Sequence, residues 1–186
     1  MLDISTIDQS WTLFLDRDGV LNYEKPDDYI RCWNEFRFYE GVKDALRTLA
    51  SVFGVIVLVT NQRGIGKGLM TLDDLADIHS KMMEEIKAAG GRIDKLYFCA
   101  DLDNSSPCRK PNPGMARLAM QDFPQISMER SIIAGNKLSD MNFGRNAGMY
   151  TAYIATTHPE VTAENPMVDL RFNSLADFAA ALKTKS

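Results

Sequence analysis

Cysteine is scarce in this chain: three in 186 residues, Cys32, Cys99 and Cys108. An odd, widely spaced set does not suggest a disulfide framework. No apolar run approaches the roughly 20 residues of a membrane span. The start, "MLDISTIDQSW", lacks the basic and apolar regions of a secretory leader. Repeats and low-complexity segments are absent, and so is any stripe of one charge. The 21 Lys and Arg against 25 Asp and Glu leave a formal charge of −4, with the cations scattered. That excludes an evident nucleic-acid surface or membrane-binding helix. The expectation is a soluble cytoplasmic protein without a nucleic-acid or membrane partner, a monomer by default. The length suits one domain, 1–186, with a sizeable core.

What is present is an alternation of strand-length apolar runs with segments of helical period, the pattern of parallel βα units. Strands are expected over 11–16, 54–60, 95–99, 131–135 and 150–155. Helices are expected over 41–52, 71–89, 113–122 and 139–147, with a last one near 174–183. In the second helix Thr71 and Asp74 form a capping-box pair, Leu72, Leu75, Ile78, Met82 and Ile86 make one stripe, and Gly90 and Gly91 stop it. Pro113 suits the first turn of the third. The predicted fold is α/β and three-layered, Rossmann-like, a mostly parallel sheet with helices on both faces. Ligands of such sheets bind beyond the carboxyl ends of the strands.

Chemistry-bearing residues gather at those ends. In "LFLDRDGVLN" the carboxylates of Asp16 and Asp18 are two apart, so a strand projects both from one face, where they repel unless a cation or proton intervenes. Thr60 and Asn61 end the second strand with a hydroxyl and an amide. "CRKPNPG" offers Arg109 and Lys110 on a loop stiffened by prolines, and "GNKLSD" offers Asn136, Lys137 and Asp140 after the fourth strand. This inventory suits phosphoryl transfer to a carboxylate. A phosphate monoester is a dianion, and Mg²⁺ together with Lys110 would neutralise its repulsion from Asp16. Asp18 would protonate the departing alkoxide and later activate water.

"FLDRDGVLN", "VTNQRGIGKG" and "CRKPNPGM" resemble the haloacid dehalogenase-like phosphatases, specifically the cap-less branch of D,D-heptose 1,7-bisphosphate and histidinol-phosphate phosphatases, over residues 11–157. The resemblance implies Asp16 as nucleophile, Asp18 as acid/base, Thr60 as phosphate ligand and Lys110 as the neutralising lysine. It also implies Mg²⁺ on Asp16 and on the Asp18 backbone carbonyl, with Asn136 and Asp140 completing the metal site. Asn136 departs from the pattern, which usually has aspartate there. Only 49 residues separate Thr60 from Lys110, too few for an independent cap domain beside a helix and a strand. The family often carries a structural zinc on Cys-x-His and Cys-x-Cys. Here Cys99 and Cys108 keep the outer positions while Asp101 and Ser106 take the inner ones, so structural zinc is predicted absent and the two cysteines reduced.

"RGIGKG" fails as a phosphate-binding P-loop, because Asn61 stands where its first glycine should be and Gly68 where Ser or Thr should follow the lysine. It is read instead as a substrate-gripping loop, with Arg63 and Lys67 joining Asn61, Arg109 and Lys137 as substrate-binding residues. In the long 22–41 segment, Trp33, Phe36 and Phe38 are expected to pack rather than touch ligand. His79 is read as a half-buried structural residue, and His158 receives no role. The expected function is Mg²⁺-dependent phosphomonoester hydrolysis through an aspartyl phosphate, on the C7 phosphate of D-glycero-D-manno-heptose 1,7-bisphosphate. The alternatives are another small phosphate ester such as histidinol phosphate or, from a different class, a phosphate-binding domain whose turnover has been lost through Asn136. A nicotinamide-dependent oxidoreductase rests only on the failed glycine pattern.

Overall fold

The structure, a computed structural model, describes residues 2–183. Five strands fall within a residue or so of their expected bounds: β1 Thr12–Leu15, β2 Val55–Asn61, β3 Lys95–Cys99, β4 Ser131–Gly135 and β5 Tyr150–Ile154. A sixth, β6 Leu170–Phe172, was not expected. It is three residues long, only half-buried, and has Arg171 at its centre, so it carries no apolar signal. All pairings are parallel, in the order β3-β2-β1-β4-β5-β6.

The helices are α1 Val42–Val52, the single turn α2 Arg63–Gly66, α3 Leu72–Ala88, α4 Gly114–Asp122, α5 Leu138–Ala147 and α6 Leu175–Lys183. The Thr71–Asp74 capping box forms as expected, satisfying donors at the α3 N-terminus that would otherwise lack partners. Leu72, expected in the buried stripe, is instead 58% exposed, because the first helical residue projects past the edge of the packed face. Leu75, Ile78, Met82 and Ile86 are buried as expected.

Strand alternation divides the core. Leu13 and Leu15 pack with Ile56, Leu58 and Ile132 beneath α1, α3 and α6. Phe14 points the other way, among Val57, Val59 and Ile133 beneath α4 and α5. This explains why the central strands are apolar at nearly every position, with the polar residues Thr12, Thr60, Asn61 and Ser131 at their ends. From β1 the chain builds β2 and β3 on one side and then crosses to β4 on the other, so the connections diverge at the carboxyl ends of β1 and β4. Crevices of open parallel sheets lie at such switch points. The 49 residues between Thr60 and Lys110 are occupied by the last residue of β2, by α2, α3 and β3, and by the loops that join them to Lys110. Among the described residues no helix is long and apolar enough to cross a membrane.

Candidate active site

The cleft over the strand ends is about 740 Å³, and its lining includes Asp16, Asp18, Thr60, Asn61, Arg63, Lys67, Arg109, Lys110, Lys137 and Asp140. Four separated stretches of sequence therefore converge on one place. At its floor Lys110 Nζ lies 2.8 Å from Asp16 Oδ1 and 2.7 Å from Asp140 Oδ1, and it also donates to the Val59 carbonyl. All three side chains are almost completely buried. Burial pushes the Asp16 carboxyl up, to about 7, with Lys110 pulling it down and Asp140 adding to the rise. Lys110 is held protonated by Asp140 and Asp16 against the opposing effect of its own burial.

Asp18 has a different environment. Its Oδ1 accepts from Asn22 Nδ2 at 2.9 Å and Arg17 Nη2 at 3.0 Å, and its Oδ2 accepts from Arg17 Nη2 at 3.0 Å and Gln62 Nε2 at 3.1 Å. Burial alone would raise this carboxyl. The Arg17 charge and the bonds from Asn22, Arg17 and Gln62 outweigh burial and hold it below the ordinary carboxylate range. Gln62 Nε2 also donates to Thr60 Oγ1 at 2.9 Å. The Thr60 hydroxyl hydrogen thus remains available to a ligand.

The turn after β4 is tightly built. An added Cβ on Gly135 would come within 2.3 Å of Asp140 Cβ, so only glycine lets α5 start so close to the strand. Asp140 Oδ2 accepts from the Lys137 backbone N–H at 3.0 Å, fixing the carboxylate that meets Lys110. Asn136 is wholly buried: its Nδ2 donates to Thr157 Oγ1 at 2.7 Å, and its Oδ1 has no hydrogen-bond partner among the described residues. The adjoining Gly19 has φ +85°, and a Cβ there would collide with the Asn136 amide.

Other predicted ligands are engaged differently from expectation. Asn61, read as a substrate contact, exchanges two hydrogen bonds of 3.1 Å with the Lys110 backbone, so its amide fixes the lysine loop. Lys137 pairs with Glu24 at 2.7 Å, and Lys67 lies over the Tyr29 ring. Arg63 donates to the Leu102 carbonyl and Arg109 to Asn104. Among the described residues neither arginine has a carboxylate partner, and burial together with the nearby Arg63 lowers Arg109 from its usual value.

Trp33 stacks on Phe36 and Phe38 meets Phe36 edge-on, with ring centroids 5.0 and 4.9 Å apart, and the three do not line the cleft. The polar stretch from Glu24 to Ile30 lines it instead. The expectation of two reduced cysteines is corrected: Cys99 and Cys108 form a disulfide, with Cys32 free. The return of the chain after the loop brings their Cα atoms to 5.6 Å, a separation that spacing alone does not reveal. Sequence reasoning also passed over Arg17 and Gln62. A cation between the two carboxylates, in Asp16-Arg17-Asp18 straight after β1, was the available signal for Arg17.

Residues 4–168 match the model of the polynucleotide kinase 3 phosphatase family. A D-glycero-alpha-D-manno-heptose-1,7-bisphosphate 7-phosphatase of Mycobacterium bovis is 34% identical over 92% of this chain and 91% of its own length. The beta-heptose counterpart of Yersinia pestis is 35% identical over 93% and 95%. The crystal structure of a D,D-heptose 1,7-bisphosphate phosphatase from B. bronchiseptica, complexed with magnesium and phosphate, superposes with a TM-score of 0.85 at 26% identity, covering 95% of this chain and 99% of that one. With its carboxylate pair, buried lysine and switch-point cleft, the chain belongs to the haloacid dehalogenase-like phosphatases.

Proposed function

We propose that the chain hydrolyses the C7 phosphate of D-glycero-D-manno-heptose 1,7-bisphosphate, with Asp16 as nucleophile. The supporting observation is a buried Asp16–Lys110–Asp140 floor in the same cleft as two arginines that have no carboxylate partner. The floor suits the phosphate that reacts, and Arg63 and Arg109, with Lys67 and Lys137 nearby, suit the one that does not.

An Asp16 oxygen forms a bond to phosphorus as the phosphorus–alkoxide bond breaks; the negative charge of the bound phosphate raises Asp18 from its depressed resting state, so that it enters this step carrying a proton and gives it to the alkoxide. Water then attacks the aspartyl phosphate, Asp18 takes a proton from it, and Asp16 is restored with release of inorganic phosphate. Thr60 donates to a phosphate oxygen, and Lys110 offsets charge as the dianion approaches. Asn61 contributes by fixing Lys110.

The donors present fit Mg²⁺, which takes oxygen ligands. The unpartnered, buried Asn136 Oδ1 is an acceptor that lacks a positive partner. Asp16, the Asp18 backbone carbonyl, Asn136 and Asp140 would hold the ion, which supplies further charge neutralisation when bound. No structural zinc is expected on Cys99, Asp101, Ser106 and Cys108, since serine and a single carboxylate replace the usual inner ligands. Elemental analysis of reduced protein purified without added metal checks this, and one zinc per chain would contradict it.

Histidinol phosphate is the weaker reading, because it would bring a cationic amine toward Arg63 and Arg109. The acidic residues of the rim offset them only in part: Glu24 is paired with Lys137 and Asp28 with Arg31, which leaves Asp27 against the two arginines. A net charge of −4 likewise disfavours a polynucleotide. The deciding experiment measures phosphate release from the heptose bisphosphate, histidinol phosphate and a 3′-phosphorylated oligonucleotide, with and without Mg²⁺. Mg²⁺-dependent release fastest from the heptose bisphosphate is expected. Silence on every ester would leave a binding domain.

A further inference from the structure

His79 lies on α3, outside the cleft, in the buried stripe with Leu75, Ile78 and Met82. Its Nε2 is 3.2 Å from Arg17 Nη1, and Arg17 is completely buried. A guanidinium has only donors, so Nε2 must accept. The imidazole is therefore neutral with its proton on Nδ1. The other edge of the same guanidinium, Nε and Nη2, grips Asp18 at 3.2 and 3.0 Å. Among the described residues no hydrogen bond joins His79 to Asp18, so any orienting effect of the neutral ring on the carboxylate passes through Arg17. Without the acceptor, a buried N–H would lose its partner, which favours rotation of the guanidinium toward another one.

We propose that His79 is a positioning residue for Asp18: by accepting from Arg17 Nη1 it fixes the guanidinium plane, and the opposite edge of that plane aims the carboxylate. The inference rests on the reading of Asp18 as the proton carrier. It predicts a defect specific to proton delivery rather than a general weakening of the site.

Two variants test it, His79→Leu, which removes the acceptor, and His79→Gln, whose carbonyl can replace it. Both are checked for native near-ultraviolet circular dichroism. The Leu variant is expected to lower kcat on a sugar phosphate about tenfold with KM within about twofold, because an alkoxide leaving group needs the proton. Its phosphoenzyme burst with p-nitrophenyl phosphate, whose leaving group does not, should stay within about twofold, and the Gln variant should recover to within about threefold of the parent. Equal slowing on both substrates, no slowing, or a folded Gln variant as slow as the Leu variant would overturn the proposal. An arm independent of turnover uses ¹⁵N NMR of the unmodified chain, where the Nδ1–H tautomer of His79 is expected and a proton on Nε2 overturns it. Should the parent release no phosphate from any ester, the functional reading fails while the tautomer still decides the Arg17 contact.

Discussion

At the floor of the cleft, Lys110 bridges Asp16 and Asp140 through side chains no more than 10% exposed. At the rim, Lys137 meets Glu24 and Arg31 meets Asp28 through side chains that are up to 46% exposed. The two regions obey different energetics. Breaking a buried pair leaves an uncompensated charge and typically costs about 3–5 kcal/mol, whereas an exposed pair contributes about 0–1 kcal/mol. The floor therefore tolerates one arrangement, and the rim can exchange partners when a ligand arrives. Fixed chemistry beneath adjustable recognition is the consequence, and each region can be perturbed separately.

The harshest perturbation of the floor is Asp16→Asn, which keeps shape but replaces the attacking oxygen with an amide. Turnover should fall by at least about a thousandfold. The fold should persist, because Lys110 retains Asp140 as its partner. Phosphate release and a thermal melt check the two halves, and a variant of near-parental activity would falsify attack by Asp16.

The support beneath the floor has a pH signature. Burial, followed by the Arg17 charge, depresses His79 to about 4. Above about pH 6.5 the ring is neutral whether the chain is folded or unfolded, and it contributes no pH dependence. Between 6.5 and 4 the unfolded chain binds the proton and the folded one does not, so acidification removes stability until the folded ring also titrates. Urea unfolding at pH 7 and pH 4.5 should show the parent losing about 2 kcal/mol more than His79→Gln. Identical losses would show that the ring is not shielded.

Asn136 sharpens the contrast from the metal side. In Asn136→Asp, a ligand charge is added at a fully buried position, and Thr157 can turn its hydroxyl to donate where it now accepts. The added attraction, about 1–3 kcal/mol at an effective dielectric near 20, should tighten Mg²⁺ binding roughly ten- to a hundredfold. Calorimetric titration with Mg²⁺ alone measures it. Unchanged affinity would place the metal away from residue 136.

The sheet was legible because strands buried on both faces must be mostly apolar, and β1, β2 and β4 are, with polar residues only at their ends. The floor was legible because Asp16 follows β1 while Lys110 and Asp140 lie on the connections that leave β3 and β4, where an open sheet places its ligands. Contacts across sequence were not. Nothing near Asn61 announces that its amide binds the Lys110 backbone, and nothing in the spacing of Cys99 and Cys108 fixes how the intervening loop folds back. His79 looked like one more member of an apolar stripe because its partner, Arg17, lies 62 residues away in the chain. Periodicity reports which face is buried, not what a polar side chain on that face meets.

The mildest effect should come from the rim. Among the described residues Arg63 and Arg109 are anchored by neutral acceptors, the Leu102 and Asp101 carbonyls and the Asn104 side chain, so each guanidinium keeps unsatisfied charge for an anion. Removing one of two cations that share a solvent-accessible phosphate should weaken ground-state binding without touching the reacting atoms. Arg63→Ala is the cleaner choice, since Arg109 adjoins Lys110 and shortening it could shift the lysine. The expected result is a KM for the bisphosphate raised about tenfold, equivalent to about 1.4 kcal/mol, with kcat within about twofold. A sugar monophosphate cleaved by the same enzyme should be almost indifferent, because it has no second phosphate to lose contact. If KM rises equally for both esters, Arg63 meets the phosphate that reacts, and the division between floor and rim lies elsewhere in the cleft.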